Sequence, residues 1–195
     1  LRGLIALSLV SLAASLVLRG LWGGPWLMEI KALSRIEAGN TLGLFTLALI
    51  AGPVLMGILD RTIGHRREVL AATHSFAALL LAVMAAGAPH YPLADLLGVA
   101  AIPARFDAVL FVLIGIAIST QPLLYGMTRQ LVDAQNAGKA LSAINLAFFL
   151  GAALMQSATG VVATIFGLPA VLLFMAATLI VGTVAFLAFT QPSKS

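Results

Sequence analysis

The chain's 195 residues are 61% hydrophobic and 9% charged, with a mean hydropathy of +1.08. Soluble domains carry about 25% charged residues, so a water-soluble fold is excluded, and the net charge of +4 is no sign of nucleic-acid binding. The absence of cysteine excludes disulfides, thiolate metal sites and cysteine nucleophiles.

The first apolar stretch, 4–28, is interrupted only by Arg19. A helix needs roughly 20 apolar residues to cross about 30 Å of hydrocarbon, so this stretch reads as a membrane span. It lacks a signal-peptide cleavage pattern and is too long for one. An arginine near the middle of a bilayer costs about 2.5–3.5 kcal/mol, so Arg19 either faces a cavity, where it contacts solute, or snorkels to the interface. Trp22 and Trp26 share a helical face around the Gly23-Gly24-Pro25 break, as interfacial anchors or as part of an outer gate. The start at Leu1, directly before a span, reads as a piece of a longer chain.

A second span is expected over 41–59, preceded by the capping box Ser34-Arg-Ile-Glu37. The third, 69–88, has Thr73, His74 and Ser75 near one end. His74 is read there as a locally hydrogen-bonded residue on a lipid-facing helix. The connection 89–107 places Pro89, Pro92 and Pro103 around the apolar run 93–101, which is too short to span and reads as a small interfacial helix. The fourth span, 108–127, contains Gln121 and Tyr125 one turn apart beside Pro122, either a polar stripe lining a pocket or an interhelical hydrogen bond.

After the polar break Asp133-Ala-Gln-Asn-Ala-Gly138 comes a fifth span over 140–166. Asn145 and Gln156 lie about three turns apart on one of its faces, read as structural glue ahead of solute contact, with Gly151 on a close-packing seam. Gly167-Leu-Pro169 is a tight turn into the sixth span, 169–190, whose side-chain hydroxyls are threonines alone. Glu29, Asp60 and Asp107 sit at span edges, so no carboxylate is expected inside the membrane.

Backbone groups must pair internally in hydrocarbon, so the spans are helices and the class is an all-α polytopic membrane protein, residues 1–195 forming one six-helix bundle. Alternate loops put Arg2, Arg61, Arg66, Arg67, Arg129, Lys139 and Lys194 on one side and only Lys31, Arg35 and Arg105 on the other. The positive-inside rule makes the first side cytoplasmic, with both termini there, in the inner or plasma membrane. Six spans divide into two three-helix sets of opposite orientation, an inverted repeat in which the leading helices, one and four, are the broken, polar ones.

The most specific stretch is Gly57-Ile-Leu-Asp60-Arg61-Thr-Ile-Gly64-His-Arg66-Arg67, between spans two and three. It resembles the signature cytoplasmic loop of the major facilitator superfamily, although each glycine is one residue off the family spacing. Leu21-Trp-Gly-Gly-Pro-Trp26 is similar to the seventh helix of bacterial members, and Gly138-Lys-Ala-Leu-Ser-Ala-Ile-Asn145, continuing to Gly151 and Gln156, to their eleventh. The resemblance implies that the chain is the C-terminal half of a twelve-helix transporter, working with an N-terminal six-helix half to move a small solute by alternating access.

Under this resemblance the solute-binding candidates are Arg19, Trp22, Trp26, Gln121, Tyr125, Asn145 and Gln156, and Gly57, Asp60, Arg61, Gly64, Arg66 and Arg67 form a gating loop. A helix C-terminus disfavours an anion, so Asp60 should pair with Arg61, Arg66 or Arg67, a contact able to act as a latch. The plainer reading of those arginines is an anchor to anionic headgroups. No cofactor or metal is expected. An enzyme is not expected either: Ser157-Ala-Thr-Gly160 is not an intramembrane serine-protease motif, and no HExxH occurs. Aquaporin and potassium-channel signatures are absent. The alternative is a non-transporting scaffold, or a half-transporter assembling with another chain.

Overall fold

The computed structural model describes residues 1–190; Lys194, counted above among the cytoplasmic charges, lies outside them. Among the described residues six helices are long and apolar enough to cross a membrane: Arg2–Ile30, Arg35–Ile63, Arg66–Ala86, Ala104–Gln130, Ala134–Phe166 and Leu168–Phe189. They are spans one to six, and no strand occurs among the described residues. Most run a turn or so past the expected ends, because charge-free windows stop at the first polar residue whereas a helix continues into the headgroup layer. In the connection after span three only Pro92–Leu96 is helical. This is shorter than the expected 93–101, since Gly98, with φ of 65°, turns the chain out of the helix.

Helix ends follow their local chemistry. Ser34 and Glu37 form the reciprocal capping box at the start of span two. That span ends on Gly64 in the left-handed conformation, its N–H reaching the Asp60 carbonyl at 2.9 Å. Gly167, with φ of 80°, makes the tight turn between spans five and six.

Both expected breaks are present, by different means. Pro25 has no N–H to give, and its ring crowds the carbonyl four residues back. Span one absorbs this with two wide, π-helical turns, Leu18–Trp22 and Trp26–Ile30. Span four is broken outright. Its first helix ends at Ala117, and a second, Gln121–Gln130, starts with Pro122 in its first turn. The residue before a proline is pushed away from helical geometry, which places the interruption ahead of Pro122.

Packing reveals the repeat. Span one lies chiefly against spans five and six, span four against spans two and three, and span three against span six. Exchanging one with four, two with five and three with six maps this pattern onto itself, the relation expected of two inverted three-helix units. Small residues let the backbones approach. A Cβ at Gly151 would collide with the Leu9 backbone of span one, and one at Gly52 with the Ser119 side chain at the break in span four. Gly151 is thus on the close-packing seam expected for it.

Spans three and six pack closely against their neighbours within this six-helix unit. About half of span three is buried, against 22% of span two and 33% of span five. The third helices meet each other, span three also meeting span four and span six meeting span one, which leaves the second helices the most exposed within this unit.

Candidate functional site

Spans one and four carry most of the polar contacts between helices, arranged as a ladder along the bundle. Nearest the termini, Tyr125 Oη donates to Asn145 Oδ1 of span five at 3.1 Å, and the Tyr125 ring stands edge-on to Phe148. Next comes a buried seam. Ser11 Oγ and Thr120 Oγ1 are 3.4 Å apart, and Thr120 Oγ1 is 3.5 Å from His74 Nε2. His74 Nδ1 pairs with the Leu70 carbonyl at 2.8 Å, so the proton sits on Nδ1 and Nε2 is the acceptor. The local bond expected of His74 is there, but the side chain is fully buried between spans, not turned to lipid.

Higher still, Trp22 Nε1 donates to Thr159 Oγ1 of span five at 2.9 Å. At the far end Trp26 Nε1 donates to Asp107 Oδ1 at 2.9 Å, and Asp107 Oδ2 is 3.2 Å from Lys31 Nζ. Lys31 Nζ also donates to the carbonyls of Ile102 at 2.9 Å and Gly87 at 3.2 Å. The Lys31 and Asp107 side chains are each 2% exposed. Asp107, at the span edge expected for it, is therefore buried and paired, and Lys31 is not a free loop charge. Span four starts at Ala104, so Asp107 lies in its first turn, where the helix dipole favours an anion and the end of span one covers it. Trp26 is 1% exposed, packed inside the bundle and not on its surface. Opposite charges on Lys31 and Asp107 at the same membrane face were the available sequence signal.

The solute-binding candidates spread along this ladder. Ser11 and Thr120 lie at one level. Arg19 is two turns further, about 12 Å at 1.5 Å per residue, while Tyr125 is about 7 Å the other way. Gln121 sits at the break with its amide on the Ile118 carbonyl at 3.3 Å. Arg19, Asn145 and Gln156 are exposed on the bundle's outer surface, and Arg19 makes no hydrogen bond or ion pair among the described residues.

The loop between spans two and three is built around Asp60. Arg66 grips it with two prongs, Nε at 2.7 Å from Oδ1 and the terminal nitrogen at 2.8 Å from Oδ2. Of the three arginines expected to compete for Asp60, Arg66 takes it. Arg67 instead donates to the Leu187 and Thr190 carbonyls, 3.0 and 2.9 Å away, capping the last turn of span six. Arg61 stays exposed. A cleft of about 470 Å³ opens between this loop and Met127, Gln130 and Leu131 of span four and its end.

A family model described as Major Facilitator Superfamily matches residues 4–195. No curated protein and no solved structure matches the chain. With six membrane helices packed as an inverted repeat and an Asp-Arg loop after the second, the chain belongs to the Major Facilitator Superfamily.

Proposed function

We propose that the protein acts as the C-terminal half of a secondary transporter, moving a small solute by alternating access together with a second six-helix unit. The carrying observation is that, among the described residues, the two repeat-leading helices depart from regular α-helix within their spans, span one by π-helical turns and span four by an outright break, and carry most of the polar contacts between helices. Discontinuous helices at a repeat interface are where transporters place their solutes, because unwound backbone supplies groups that continuous helices keep to themselves. Gln121 and Tyr125, half-buried on the second half-helix of span four, are the leading solute contacts. Arg19, Trp22, Asn145 and Gln156 line the approach, and Trp26 supports it from behind.

Spans two and five present the contact surface for the second unit. Leu47, Ile50 and Val54 of span two are 61%, 67% and 66% exposed, and Leu146, Phe149 and Leu154 of span five are comparably bare. The membrane is the inner or plasma membrane, with both termini cytoplasmic. The Asp60–Arg66 grip then lies on the cytoplasmic side and serves as the latch of the gating loop.

Solutes that raise the melting temperature of the purified protein identify candidate ligands, and binding is then measured for variants. Gln121→Ala and Tyr125→Phe should weaken binding more than Thr178→Ala or Thr183→Ala on span six. Equal effects at both places would end the assignment of solute to span four.

A further inference from the structure

At the far end of the bundle an apolar cavity of about 360 Å³ lies between spans three and four, roofed by the connection holding the short helix. Val83 and Met84 of span three, Leu97 and Val99 of the connection, and Phe106 and Leu110 of span four form most of its wall. Lys31 and Asp107 border it as well, but their charged ends are spent on each other and on the Gly87 and Ile102 carbonyls. What the cavity offers a guest is carbon. An apolar cavity of ~150 Å³ accepts benzene, and this one is more than twice as large.

Its position identifies the guest. Val83 and Met84 are in the last turn of span three, and Phe106 and Leu110 in the first two turns of span four, so the cavity stands at the edge of the hydrocarbon layer. Leu96, Leu97, Val99, Phe106 and Val109 around it are exposed, Leu96 at 82%, an apolar rim that lipid tails cover and water does not. Arg105, also exposed, stacks its guanidinium 5.3 Å from the centre of the Phe106 ring and puts a cation on that rim. Asp95, on the short helix, does not line the cavity.

We infer that this cavity is a lipid site, holding one acyl chain of an anionic lipid from the surrounding leaflet with its head group beside Arg105. The acyl chain fills the space beside the already buried Lys31–Asp107 pair and fastens the roof to span four. The site follows from membrane embedding alone and does not depend on the transport reading.

The test uses the whole chain in vesicles of phosphatidylcholine and phosphatidylglycerol, with trace phosphatidylglycerol bearing a diazirine on one acyl chain. Labelled peptides are located by mass spectrometry. Labelling should concentrate in residues 97–110 above the exposed face of span two. Leu110→Trp and Val83→Phe, which fill the cavity from opposite walls, should each remove the excess while labelling of span two persists and shows that the variant is folded. Arg105→Gln should lower the preference for the phosphatidylglycerol probe over a phosphatidylcholine probe by about fivefold. Labelling of 97–110 no stronger than that of span two, or unchanged by both filling variants, overturns the site. Equal labelling of the native protein by the two probes overturns the anionic head group.

Discussion

Changing Asp107 to Asn removes one charge from the Trp26–Asp107–Lys31 cluster while keeping an acceptor for the indole. Lys31 is then left with no counter-ion, 2% exposed. Removing one partner of a buried pair typically costs about 3–5 kcal/mol. Lys31 keeps its bonds to the Gly87 and Ile102 carbonyls, which favours the lower end, about 3 kcal/mol or more than a hundredfold in the unfolding equilibrium. Lys31→Met alone should cost a similar amount by stranding the carboxylate. The double variant Lys31→Met/Asp107→Asn, with no net charge to strand, should recover most of the loss, giving a coupling energy of about 2 kcal/mol or more. Unfolding in mixed micelles by a denaturing detergent measures all four proteins, and the fluorescence of Trp22 and Trp26 follows the transition. Single variants costing under about 1 kcal/mol, the range of a solvated pair, would refute the burial of the cluster. So would a double variant whose cost is the plain sum of the two.

Gly151→Ala should destabilise by about 1–3 kcal/mol, because its Cβ would meet the Leu9 backbone, whereas Gly160→Ala, with open space around it, should be neutral or slightly stabilising; micelle unfolding of the pair decides. Cysteines introduced at Thr62 and Leu97 should label from opposite faces of sealed cells, and labelling of both from one face would overturn the arrangement of the spans. Asp60→Asn should slow solute turnover with little change in solute affinity, since the Asp60–Arg66 grip lies at the membrane edge; a large affinity loss with normal turnover would count against the latch.

Features that depend on a few neighbouring residues were legible before any folding was considered. The capping box at Ser34, the turn at Gly167 and the breaks at Pro25 and Pro122 are each set within one or two helical turns. So is an arginine partner for Asp60 within the loop, although only the structure selects Arg66 from Arg61, Arg66 and Arg67. The six-span count follows from the same local logic, because bilayer thickness sets how many apolar residues a crossing needs.

Helix rotation and helix neighbours are another matter. Trp26 and Asp107 are 81 residues apart, and Ser11 and Thr120 are 109 apart. In a soluble protein an apolar stripe would show which face of each helix turns inward. Here lipid and protein core are equally apolar, so a helix such as span six carries leucine, valine and phenylalanine on every side. The sequence accordingly does not show that His74 is buried between spans or that Lys31 and Asp107 pair out of water. Tertiary packing settled these by other forces: close approach at Gly151 and Gly52, and the high cost of leaving Lys31, Asp107, His74 and Thr120 without partners in hydrocarbon.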